Sequence, residues 1–136
     1  MSEAIALETG AELSRLGKTI YQRALAENAF STDSIHNDDY TKMAGYPGAL
    51  VSAYVLNGYM SEPLVRLFGA SWFTTGRLAL RFIGKGVQQG DKVVIGGRIT
   101  EIEPCSAGRR VHLELWMEKP DGARPVVGQA SAVVPA

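Results

Sequence analysis

Residues 30 to 59 read FSTDSIHNDDYTKMAGYPGALVSAYVLNGY, and the order of features within them decides how the rest of the chain must fold. A polar loop comes first, in which Ser31, Thr32, Asp33 and Ser34 all favour caps and turns. The loop carries His36, one of two histidines in the chain, with Asp33, Asp38 and Asp39 around it. Asn37 or Asp38 can open a short helix through Tyr40, Thr41 and Met43, which Gly45 stops. After the turn Gly45-Tyr46-Pro47-Gly48 comes the most apolar helical segment of the chain, expected over residues 49–59. There Ala49, Ala53, Leu56 and Met60 share one face, and Leu50, Tyr54 and Gly58 the next. Charge is almost absent until Glu62, so the helix is expected to be apolar all round and buried. Ser61-Glu62-Pro63 then reads as the cap and first turn of a new helical piece, which Gly69 ends.

Beyond Gly69 the hydrophobic period changes from 3.6 to 2. Leu78, Leu80 and Phe82 alternate with Arg77, Ala79 and Arg81. A turn over residues 84–91 leads to a strand over residues 92–103, with Val93, Ile95 and Ile99 inward and a bulge expected at Gly96-Gly97. Val111, Leu113, Leu115 and Met117 alternate with His112, Glu114, Trp116 and Glu118, and Lys119-Pro120-Asp121-Gly122 is a hairpin signal. Residues 126–134 supply a last strand. Upstream, residues 11–28 read equally well as one helix, with Leu13, Leu16, Ile20 and Ala24 on a face, or as a short strand near 18–21 followed by a helix. Gly17 speaks against the continuous helix. The whole is an α+β domain of four antiparallel strands behind one buried helix.

The bulk composition narrows the function. One domain over residues 1–136 is expected at this length, large enough for a real core. The formal net charge is zero and no basic run stands out, which argues against nucleic acid and anionic membrane surfaces. One cysteine, Cys105, forms neither an internal disulfide nor a cysteine cluster for metal. No metal site and no cofactor are expected from two histidines and scattered aspartates. The first ten residues lack the pattern of a secretory signal, and no apolar run approaches the roughly 20 residues that span a bilayer. A cytoplasmic location is expected.

The loop, the turn and the strand start together resemble a known family. Its signature reads about G-D-x-N-P-[IL]-H-x-D, then a Gly-aromatic turn, then [IV]-[AV]-H-G-M at a central helix; Phe30 to Asp38, Gly45 to Gly48 and Leu50 to Tyr54 stand in those places here. A later F-x-x-P-V-x-x-G-D is matched in outline by Phe82 to Asp91. The chain thereby resembles the MaoC-like (R)-specific enoyl-CoA hydratases and acyl dehydratases, which have the hot-dog fold, a curved antiparallel sheet wrapped around a buried helix. The likeness covers most of the chain from Gly10 onward. Three places depart from the pattern: Ser31 stands where the family carries its catalytic aspartate, Asp33 where it has asparagine, and Ser52-Ala53 where it has His-Gly.

The resemblance implies a hydratase or dehydratase, a lyase acting across the 2,3-double bond of an acyl thioester carried by CoA or acyl carrier protein. Such chemistry needs a proton acceptor for water and a donor for the thioester oxygen. His36 suits the first role, since an unperturbed imidazole titrates near pH 6.5; read from the residues alone it is first a loop histidine that caps the next helix or bonds a neighbouring carbonyl. Asp33 is the implied catalytic partner of His36. Ser31, Ser52, Ala53 and Tyr54 are the implied substrate-binding residues, with main-chain N–H groups near Ser52-Ala53 meeting the thioester oxygen. A homodimer, or a heteromer with another hot-dog chain, is implied as well. Two rival functions remain: a non-catalytic hot-dog subunit of a heteromeric dehydratase, and a hot-dog thioesterase, for which Glu62 is the one acidic residue near the helix.

Overall fold

The computed structural model describes residues 5–27 and 34–136. The loop residues Phe30, Ser31, Thr32 and Asp33 lie outside the described residues. Among the described residues nine elements follow one another: β1 (Leu16–Thr19), α1 (Arg23–Ala26), α2 (Asp38–Met43), α3 (Ala53–Phe68), α4 (Ala70–Thr75), β2 (Arg77–Phe82), β3 (Lys92–Cys105), β4 (Gly108–Glu118) and β5 (Val126–Pro135). The strands form one sheet in the order β1-β3-β4-β5-β2, antiparallel throughout. The sheet therefore has five strands, one more than the four counted downstream of the helix.

The fifth strand settles the open reading of residues 11–28. Leu16–Thr19 pairs with residues 92–95 of β3, and the main chain before it keeps contact through Gly10 N–H to Ile99 O and Leu13 N–H to Gly97 O. Leu13 and Ile20 then point into the core at 3% and 1% exposure. A helix there would satisfy its own backbone but leave the long β3 edge unpaired. The helix that follows β1 is a single turn, Arg23–Ala26.

Period-2 patterning sets the inner face of the sheet. Val111, Leu113, Leu115 and Met117 of β4 are all buried, as are Val93, Ile95 and Ile99 of β3. The bulge lies between Ile99 and Glu101, while Gly96 and Gly97 pair regularly with Trp116 and Leu115. Those glycines serve packing. A Cβ at Gly96 would come within 2.7 Å of the Trp116 indole, and one at Gly97 within 2.7 Å of Leu115. Phe82, at the end of β2, is 47% exposed and does not join the inner row.

The central helix differs from its expected bounds at both ends. Leu50 N–H bonds to Ile35 O and Val51 N–H to Val87 O, so these residues run extended and the helix starts only after Ser52. It then continues through 61–63 without a break. Ser61 is no cap, since its hydroxyl bonds back to Asn57 O at 2.7 Å. Pro63 inside the helix costs about 3 kcal/mol. Leu64, Leu67 and Phe68 beyond it are all buried, and each such side chain gains about 1.5–3 kcal/mol. Burial outweighs the local penalty.

The helix is not apolar all round in its surroundings either. Leu56, Met60, Leu64 and Leu67 fill one stripe against the sheet, but Tyr54 is 71% exposed and Asn57 and Gly58 also face outward. Trp72 stacks on Phe68, whereas Phe73 is exposed. Lys18 of β1 reaches Glu62 of α3 at 2.7 Å, tying the edge strand to the helix.

That pair predicts an acid-side loss of stability. Lys18, and then Arg66, hold the Glu62 carboxyl below its ordinary value of 4.5 in the folded chain. A carboxyl lowered on folding contributes above its unfolded pKa and loses that contribution as pH falls through its folded one. For so accessible a pair the contribution is at most about 1 kcal/mol. In urea titrations from pH 7 to 3, Glu62→Gln should lower the midpoint slightly at pH 7 and approach the wild type as pH falls from 4.5 through the lower folded value. A constant offset across that range would refute the assignment.

Candidate active site

The short loop before α2 is built by its own polar side chains. Ser34 Oγ accepts the His36 N–H at 3.0 Å, and Ser34 O accepts the Asn37 N–H. Asn37 is the cap of α2: its Oδ1 accepts the Tyr40 N–H at 3.1 Å. Of the two cap candidates, Asn37 caps and Asp38 is the first helical residue. The Asp38 carboxylate works on both sides of the site, accepting the Ala49 N–H and pairing with Lys42 at 2.8 Å. The Lys42 ammonium first, and then the Ala49 N–H, hold the Asp38 carboxyl below the usual carboxylate range.

His36 is half-buried, and its Nδ1 lies 2.6 Å from the carbonyl oxygen of Leu50. A carbonyl only accepts, so Nδ1 carries the proton and Nε2 is the basic nitrogen of the neutral ring. This bond locks the imidazole to the segment that feeds the central helix.

Each residue of that segment is held by a different part of the chain. Leu50 is bound to the His36 loop, Val51 to Val87, and Ser52 N–H to the side-chain Oε1 of Gln22 at 2.8 Å. Gln22 is itself 3% exposed, and its Nε2 donates to Ser52 Oγ at 2.8 Å. Ser52 is the N-cap of α3, yet its hydroxyl makes no cap bond. Among the described residues, the N–H groups of Ala53 and Tyr54 therefore have no acceptor.

His36 opens onto a polar cavity of about 310 Å³ shared with Asp38, Lys42, Ala49, Gln89 and Asp91. Asp91 accepts the Gln88 N–H and pairs with Lys119 at 3.1 Å. The structure thus brings His36 and Asp38 together. Ala53 and Tyr54 line a different, shallow groove with Asn57, Leu80 and Phe82, and Ser52 is buried. Asp33 and Ser31 lie outside the described residues. Glu62 is engaged by Lys18 and Arg66 in the middle of α3, away from its N-terminus.

Sequence reasoning missed Gln22 and Gln89, whose reciprocal bonds (Gln22 N–H to Gln89 Oε1 at 2.8 Å, Gln89 Nε2 to Gln22 O at 3.3 Å) connect the cavity wall to the helix start. Neither Gln22 in a mixed segment nor Gln89 in the turn after Gln88 belongs to a pattern that marks it. Among the described residues no group of three His, Cys, Asp or Glu side chains is placed to hold a metal ion, and no helix is long and apolar enough to cross a membrane.

No family model and no curated protein matches the chain. Solved structures do. A chain of the ChsH1-ChsH2 complex from Mycobacterium tuberculosis is similar at 18% identity and a TM-score of 0.70, over 95% of this chain and 99% of that one. The MaoC-like dehydratase from Rhodospirillum rubrum is similar at 13% identity and 0.73, over 95% and 93%. The (R)-hydratase from A. caviae involved in PHA biosynthesis is similar at 20% identity and 0.70, over 97% and 100%. With five antiparallel strands curved around α3, the chain has the hot-dog fold, the fold of the MaoC-like dehydratases and (R)-hydratases.

Proposed function

We propose that this protein adds or removes water across the 2,3-double bond of an acyl thioester, on CoA or acyl carrier protein. The observation that carries the reading is the His36 ring, tethered through Nδ1 to Leu50 just before the central helix. In the hydration direction Nε2 takes a proton from water as the water oxygen attacks C3. The electron pair moves to the thioester oxygen, which the Ala53 and Tyr54 N–H groups at the positive end of α3 stabilise. Collapse of that oxyanion returns a proton from the imidazolium to C2, so H and OH are added and the ring is restored. Asp33 is the proposed partner of His36, and the hydroxyl of Ser31 the proposed contact for the water.

The test is the loss of enoyl-thioester absorbance when purified protein meets crotonyl-CoA and longer enoyl-CoAs. Saturable hydration is expected; no turnover on any chain length would reject the hydratase reading and favour the non-catalytic subunit.

The proposed partner is a second hot-dog chain, identical or related. The outer edge of β2 has no strand beside it among the described residues, and Tyr54, Phe73 and Phe82 are exposed at 71%, 76% and 47%. Unpaired edges rimmed with aromatics invite pairing. Sedimentation should give twice the chain mass, and Phe82→Lys should shift the protein toward monomer. A monomeric wild type at micromolar concentration would exclude the homodimer and leave the heteromer.

A further inference from the structure

We infer that Gln22 is a positioning residue that keeps the Ser52 hydroxyl off its own helix, so that the first amides of α3 stay available to the substrate's thioester oxygen. The inference rests on the hydratase reading for the identity of that oxygen.

A serine at an N-cap ordinarily turns its oxygen back onto the N–H two or three residues on. Ser52 has the required extended backbone, φ −64° and ψ 142°, but not the bond. The Gln22 carboxamide takes both of its groups: Oε1 accepts the Ser52 N–H, and Nε2 donates to Ser52 Oγ. The same Nε2 lies 3.3 Å from the Tyr54 phenol oxygen, so Gln22 also draws that side chain along the helix start. The Val55 N–H already bonds to Ser52 O at 3.0 Å. A released hydroxyl would therefore turn to the Tyr54 N–H.

Gln22 is held from behind as well. Gln89 accepts its main-chain N–H and donates to its carbonyl, and Gln89 lines the His36 cavity. One amide chain thus links the wall beside the base to the amides at the helix start. Gln22 touches no reacting atom in this arrangement; it acts through Ser52.

The test is Gln22→Met, which keeps the length of the side chain and removes both hydrogen-bonding groups, alongside Gln22→Met/Ser52→Ala, which also removes the hydroxyl. In the single variant kcat for enoyl-CoA hydration should fall about 10- to 100-fold, the scale of a misplaced positioning contact, with KM changed by less than about threefold. The double variant should recover at least about tenfold of that loss, because no hydroxyl is left to cover the amide. A purely structural role would lower the urea midpoint of Gln22→Met and leave the exchange of the Tyr54 N–H unslowed. Amide hydrogen exchange reads the same event without catalysis: the Tyr54 N–H should exchange several-fold more slowly in Gln22→Met than in the wild type, and no more slowly in the double variant. A double variant no more active than the single one, or a Tyr54 amide unchanged by Gln22→Met, would overturn the inference. If the wild type hydrates no enoyl thioester, the hydratase reading fails by itself and the exchange comparison still decides what Gln22 does to Ser52.

Discussion

Replacing His36 by asparagine is expected to lower kcat/KM for enoyl-thioester hydration by about 10²- to 10⁴-fold, the contribution of one general acid–base group, while leaving the fold at near wild-type stability. The choice of asparagine follows from the geometry. The ring is bound through Nδ1 to the Leu50 carbonyl at 2.6 Å, and an asparagine amide offers an N–H at a similar reach. It keeps the tether and deletes the nitrogen that takes the proton. His36→Ala removes both, and should add a stability loss of about 0.5–1.5 kcal/mol for one hydrogen bond. If chemistry resides in the ring, the two variants are equally inactive although they differ in stability. If His36 only pins the loop to the helix start, asparagine keeps most of the activity and alanine alone is impaired. A loss of less than threefold in His36→Asn would remove His36 from the mechanism. Hydration rates and urea midpoints on the same three proteins separate these outcomes.

Leu64→Ala should cost about 2–5 kcal/mol, the range for truncating a buried leucine in a core that closes only partly around the gap. Leu64 has no exposed surface and stands one turn beyond Met60, which has none either, on the stripe of α3 that meets the sheet. Against a total of about 5–15 kcal/mol for an ordinary domain, that is a large share. For a chain of this length a loss of 3 kcal/mol corresponds to a fall in Tm of about 10 °C. Asn57→Ala, on the outward side of the same helix, should stay within about 0.5 kcal/mol. Urea unfolding at constant m-value measures both. Equal losses at the two positions would mean that the outward face is buried too, as in a dimer that covers it, and the measurement should then be repeated on Phe82→Lys.

Much of this architecture is legible in the residues because local patterns and burial agree. The alternation of Val111, Leu113, Leu115 and Met117 places β4, and Arg77 to Phe82 places β2, since a strand with one buried face leaves a period of two. The polar loop and Asn37 announce α2 through side-chain capping, which acts over three residues. His36 is found from its chemistry and its place before the apolar segment. The bounds of α3 are less legible. Its start is set by Ile35 and Val87, which bind residues 50 and 51 from far along the chain, and its passage through Pro63 is decided by the burial of Leu64, Leu67 and Phe68. Similarly, Gly96 and Gly97 suggest a bulge locally, but the Trp116 and Leu115 side chains opposite explain them.

By itself the sequence determined the α+β class, the inner rows of β3 and β4, the short helix α2 and the histidine beside the central helix. These rest on contacts between near neighbours or on a periodicity that one buried face imposes. Only the tertiary structure decided that residues 16–19 form the edge strand, that the Glu62 carboxylate is engaged by Lys18, and that Gln22 holds the start of α3. Each of those depends on groups 30 or more residues apart meeting in space, and no periodicity or short-range preference records which distant partner a polar side chain will meet.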